Sequence, residues 1–116
     1  MPEEYVPDNW VAVKIIHKDQ TTYKILAGWS GGYLHGNSWR INSGVIEVKQ
    51  EDNHYLFIGY SGSIYRCHKD AYQVRMNISG LLAGLERQAE ENDNVSLELL
   101  PKDTDWLTLL QGKHNG

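Results

Sequence analysis

Residues 78–91, ISGLLAGLERQAEE, are where this chain changes its period. Ile78, Leu81, Leu82, Leu85 and Ala89 fall on one stripe at the spacing of an α-helix, and Glu86, Arg87, Glu90 and Glu91 fill the wet side. Asn77 stands where an N-cap is expected. Gly80 and Gly84 lie four apart, which predicts a helix side pressed closely on a sheet. Everything before this stretch reads in twos. Residues 10–17 (WVAVKIIH), 22–27 (TYKILA), 44–49 (GVIEVK), 54–60 (HYLFIGY) and 63–68 (SIYRCH) are strand patterns separated by polar or Gly-containing turns. The first two form a hairpin, with Val11, Val13 and Ile15 on one face. After the helix, residues 95–100 (VSLELL) give a sixth strand. Residues 106–111 (WLTLLQ) give a short last element whose Trp106 docks on the core. Strands in a run followed by a helix predict an α+β fold: an antiparallel sheet of about five to six strands with one helix packed across a face.

The 116 residues suit a single domain over 1–116, with loose termini at 1–8 and 112–116. Hydrophobic content of 41% and charged content of 22% are those of an ordinary globular chain. The net charge of −4 offers no general attraction for a polyanion, so an extended nucleic acid is not an expected partner. Cys67 is the single cysteine, which excludes an internal disulfide and fits a reducing compartment. No apolar run reaches membrane length and the acidic start resembles no signal peptide, so a cytoplasmic location is expected.

Residues 27–44, AGWSGGYLHGNSWRINSG, carry the chemistry worth weighing. Gly28-Trp29-Ser30-Gly31-Gly32 spells G-x-S-x-G, but a nucleophile elbow needs a strand-to-helix turn and a large parallel sheet, and no helical period follows Ser30. His54 and His68 are the base candidates, with Asp70 to orient a histidine. The five histidines show no metal-ligand spacing, and Cys67 and His68, adjacent on a strand, point to opposite faces, so neither a metal nor another cofactor is expected. A second segment, Gly59-Tyr60-Ser61-Gly62, echoes Gly28-Trp29-Ser30-Gly31. Two readings stay open. In one, both are Ser-Gly turns at strand ends. In the other they form a ligand cradle: Trp29, Tyr33, Trp39, Tyr60 and Tyr65 as flat faces, Arg40, Arg66 and Arg75 as phosphate partners, and Ser30, Ser43 and Ser61 as hydroxyl donors.

The stretches LAGWSGGYLHGNSWRINSG, YSGSIYRCHKDAYQVRMN and DTDWL resemble a family of small, mostly uncharacterised proteins carried by tailed bacteriophages, over most of residues 8–107. The resemblance implies a setting, counter-defence in an infected bacterial cell, and carries over no catalytic residue. Joined to the cradle, it gives the expectation of a non-enzymatic sponge. The protein would bind a small nucleotide-derived immune signal without cleaving it, as a homo-oligomer whose protomers share the pocket. A protein-binding inhibitor of a host defence enzyme is the alternative from a different class. A small phosphodiesterase-like enzyme using His54 or His68 is the third.

Overall fold

The structure is a computed structural model that describes residues 3–32, 36–74, 76–92 and 94–109. The strands are β1 (Glu4–Tyr5), β2 (Asn9–His17), β3 (Gln20–Gly32), β4 (Gly36–Ile41), β5 (Val45–Glu51), β6 (His54–Gly59), β7 (Ile64–His68) and β8 (Val95–Leu99). Helix α1 covers Met76–Glu90, and short 3₁₀ turns cover Lys69–Ala71 and Trp106–Thr108. The strands form two four-stranded sheets, ordered β1-β7-β6-β5 and β4-β3-β2-β8. The α+β class and the single helix agree with the sequence reading. The described residues form eight strands, and the expected single sheet is a sandwich of two.

The pattern of β2 explains the layering. Trp10, Ala12, Ile25 and Ala27 of β2 and β3 face the other sheet, where they meet Val45, Phe57, Tyr65 and Cys67. Val11, Val13 and Leu26 point the other way, onto Ile78 and Leu82 of α1. Trp10 to Val13 are therefore buried on both sides, as a strand between two apolar layers must be. Each fully buried aliphatic side chain here contributes about 1.5–3 kcal/mol. Trp106 and Leu100 close the space between the sheets, with Trp106 only 3% exposed. On β5, Val45 and Val48 both reach the core although they are an odd number of positions apart. A bulge between Val45 and Glu47 absorbs the extra residue.

Two elements depart from the sequence reading. The lead-in contains β1, which runs parallel to β7 with Glu4 opposite Ile64 and Tyr5 opposite Tyr65. The Gly/Ser/Trp segment contains β4, with Arg40 opposite Ala27 and Trp39 opposite Gly28. The hairpin β2–β3 forms as read, from His17–Gln20 to Asn9–Gly28. The helix starts at Met76, so Asn77 lies inside its first turn and does not precede it.

The expectation for Gly80 and Gly84 fails. Among the described residues a Cβ at either would meet nothing within 4 Å, so no described strand presses on that side. The helix therefore carries two residues that weaken it with no packing reason among the described residues. Gly80→Ala and Gly84→Ala should each raise the unfolding free energy by about 0.5–1 kcal/mol in urea titrations.

Candidate functional site

The end of the sandwich where β1 crosses to β2 gathers four of the expected site residues around the segment Glu3–Val6. Strand alternation sends Tyr5 inward beside Tyr65, with ring centroids 5.2 Å apart. Trp29 stands edge-on to Tyr5 at 6.3 Å, and its indole N–H donates to the Val6 carbonyl at 2.9 Å. Arg40, directly across from inward-facing Ala27, lays its guanidinium carbon 4.5 Å from the centroid of the Tyr5 ring. Arg40 is exposed, and no carboxylate of the described residues pairs with it. A guanidinium stacked on a ring keeps its N–H edge open to an anion.

Arg66, on β7 of the facing sheet, points to the outer side of that sheet and is already engaged. Its Nε lies 3.3 Å from Glu4 and its Nη1 3.0 Å from Glu51. Those two carboxylates raise its pKa further. Tyr65 is 2% exposed and offers no open face. Trp39 is 53% exposed but shares the helix-side face of its sheet with Ile41, one residue out of phase with Arg40. The structure thus joins Trp29, Arg40 and Tyr65 through Tyr5, places Arg66 across the strand from them, and separates Trp39 from Arg40 by the thickness of the sheet.

Ser43 and Ser61 meet in a second place. The Ser61 amide donates to Ser43 Oγ at 3.1 Å, and the hydroxyls of Ser43, Ser61 and Ser63 continue the chain at 3.4 and 3.3 Å. The Tyr60 amide donates to the Gly44 carbonyl at 3.0 Å. These bonds fasten the β6–β7 bend onto the β4–β5 crossing, which favours the Ser-Gly turn reading for this pair. Tyr60 is 62% exposed on its rim. Beside it Asn42, 4% exposed, accepts from the Ile25 amide at 2.9 Å, and its Nδ2 has no hydrogen-bond partner among the described residues.

Ser30 lies within β3, so its backbone is strand and not a strand-to-helix elbow. Tyr33 and Arg75 lie outside the described residues. His54 and His68 are cross-strand partners with ring centroids 5.0 Å apart. His68 Nδ1 accepts from the Asp70 amide at 3.0 Å, which commits that nitrogen to a backbone turn. Among the described residues no group of three or more His, Cys, Asp or Glu could hold a metal ion, and no helix is long and apolar enough to cross a membrane. A shallow groove between α1 and β8 is lined by Glu86 and Glu90, an unsuitable surface for an anion.

Reading the sequence did not single out Glu4, Tyr5 or Asn42. The available signal was the acid–acid–aromatic run at 3–5, an amphipathic dipeptide pattern inside what reads as a loose lead-in.

Burial holds the Tyr65 hydroxyl proton: its pKa is pushed up to about 12 from 10.0, mainly by desolvation, with Arg40 pulling the other way. Burial moves Tyr72 and Cys67 in the same direction. The unfolded chain therefore gives up the Tyr65 proton first. The stability contribution is complete below pH 10 and is lost as pH rises toward about 12. Each tenfold gain in proton affinity on folding is worth about 1.4 kcal/mol. Tyrosinate absorbance and circular dichroism followed together in alkali should show the last tyrosines ionising with unfolding, not before it.

No protein-family model, curated protein or solved structure matches this chain.

Proposed function

We propose that the protein is a non-enzymatic binder of a small, anionic, ring-bearing ligand of the nucleotide class, held through Arg40. The observation that carries this reading is the stacked Arg40 guanidinium, exposed and free of carboxylate partners among the described residues. Tyr5 orients it from below, and Trp29 and Tyr65 fix Tyr5. Such a group supplies the two-pronged contact a phosphate takes. Arg66, bridged by Glu4 and Glu51, is a weaker anion partner than its position in the sequence suggests. The resemblance to small proteins of tailed bacteriophages supplies the setting: sequestration of a nucleotide-derived immune signal in the infected cell, by a homo-oligomer, without cleavage.

The measurement is calorimetry with a panel of linear and cyclic nucleotides. Arg40→Ala should weaken the bound nucleotide by about 10-fold to 100-fold, the worth of a charge-assisted contact. A ligand recovered unchanged after heat denaturation separates a sponge from an enzyme. Absence of any nucleotide binding, or binding indifferent to Arg40, defeats the reading.

The protein-binding alternative has its own support. Trp39 is exposed on β4, an edge strand of its sheet, and edges with exposed aromatic rings suit protein partners. Loss of a co-purifying host enzyme on Trp39→Ala, with Arg40→Ala silent, would favour it.

A further inference from the structure

The segment Glu3–Val6 is held the way a bound peptide is held. It adds a strand of only two residues to the edge of β7, and the Glu3 carbonyl accepts from the Ile64 amide at 2.8 Å. The Val6 carbonyl accepts from the Trp29 indole. The side chains are read on opposite sides of the added strand. Glu4 meets Arg66 on the outer side, while Tyr5 enters between Tyr65, Trp29 and Arg40 on the inner side. Main-chain bonds plus alternate side-chain contacts are the signature of strand addition to a sheet edge.

The charges match that arrangement. With the segment in place, Glu3, Glu4 and Glu51 outnumber Arg40 and Arg66 around it. With the segment lifted, the two guanidiniums outnumber Glu51, and the edge of β7 presents an acceptor of net positive charge beside the rings of Trp29 and Tyr65. The segment is anchored mainly through the Tyr5 ring, and the rest of it is open to solvent. Val6 is 52% exposed, and the Arg66–Glu4 pair faces solvent.

We propose that the edge of β7 is an acceptor site for an extended partner peptide bearing an adjacent acid–aromatic pair, and that Glu3–Val6 is its built-in occupant, displaced when the partner strand binds. The acid goes to Arg66 and the ring to the Tyr65–Trp29–Arg40 recess. This goes beyond the small-ligand reading, because a nucleotide has no peptide strand to lay along β7 with side chains alternating to its two sides.

The experiment uses the full chain carrying Glu4→Lys and Tyr5→Ala, which weakens the internal occupant and leaves the acceptor intact. The probe is a capped peptide of sequence Glu-Glu-Tyr-Val-Pro-Asp. It should bind the variant, and bind the unaltered chain at least about tenfold more weakly, because only the open fraction of the latter is competent. A peptide with both glutamates replaced by lysine should not bind. Equal binding to both proteins, binding by the lysine peptide, or no binding to a folded variant overturns the proposal. Hydrogen exchange on the unaltered chain gives a second reading that needs no variant. The Ile64 amide should exchange at least about a hundredfold faster than the Leu100 amide, which is bonded to Ala12 between the sheets. Exchange of both at one common rate means that the segment opens only with the whole fold, and sinks the idea.

Discussion

Trp10→Ala should lower the unfolding free energy by about 5 kcal/mol, at the top of the range for removing a buried aromatic ring. The indole is 1% exposed and touches three other rings, with centroids at 4.7 Å for Tyr72 and 5.3 Å for both Phe57 and Trp106. Those rings come from different layers: Phe57 from β6 in the opposite sheet, Tyr72 from the link into α1, and Trp106 from the last 3₁₀ turn. Truncation leaves a hollow that none of them can fill, since each is pinned elsewhere. Tyr72 is pinned by hydroxyl bonds to Leu100 and Ala12. The indole N–H also donates to the His68 carbonyl at 2.7 Å, and that acceptor is left without its partner. Natural domains hold only about 5–15 kcal/mol in reserve, so the substitution should remove a third or more of the total. Trp10→Phe keeps most of the ring contacts and loses the hydrogen bond, and should cost less than half as much. Urea titrations of the two variants decide the matter. A loss under about 2 kcal/mol for Trp10→Ala would falsify the view that this indole joins the layers.

Periodicity located most of the strands, because a half-buried strand must alternate and an amphipathic helix must repeat every three to four residues. It failed for β4, whose sequence GNSWRI has Ile41 as its single β-branched residue and opens on glycine, asparagine and serine, which strands disfavour or leave unmarked. That strand exists because β3 runs on to Gly32 and offers an unpaired edge, a tertiary cause that no local window contains. Alternation also predicted in principle that Trp39 and Arg40 diverge, yet a cradle reading that pools residues by type overlooks it. The second sheet was hidden for a similar reason. Trp10 to Val13 are apolar at every position, which signals layers on both sides, but one helix accounts for only one of them. The Ser-Gly echo had two causes that composition cannot separate. One copy is strand interior at Gly28–Gly31, and the other is a bend fastened by Ser43. The acid–aromatic segment at 3–5 was passed over because a terminal dipeptide strand carries no periodicity at all.

Gly44→Ala should cost about 3 kcal/mol, and most of that cost should come from the backbone. Gly44 holds φ at +129°, a region that a side chain enters only at a penalty on the order of 1–3 kcal/mol. A Cβ there would also sit 2.8 Å from Tyr60 Cε2 and 3.1 Å from Thr22 Cγ2. The two contributions can be told apart. The Tyr60 ring is largely exposed and free to swing aside, so its contact is relieved cheaply, whereas the φ is imposed by the crossing from one sheet to the other. In a Tyr60→Ala background the penalty for Gly44→Ala should therefore fall by less than about 1 kcal/mol. Gly62 supplies the control: its φ is +91°, and a Cβ there would meet nothing within 4 Å among the described residues. Gly62→Ala should cost about 1 kcal/mol, the backbone share alone at a bend that can relax into solvent. Gly44 cannot relax in that way, because its carbonyl accepts from the Tyr60 amide and its neighbour Ser43 accepts from Ser61. If removing the Tyr60 ring restored full stability to Gly44→Ala, the crossing would be tolerant and the ring contact would be the true constraint. If the penalty persists, the Ser43–Gly44 corner is a rigid joint between the sheets, and its glycine is there for geometry, not for a ligand.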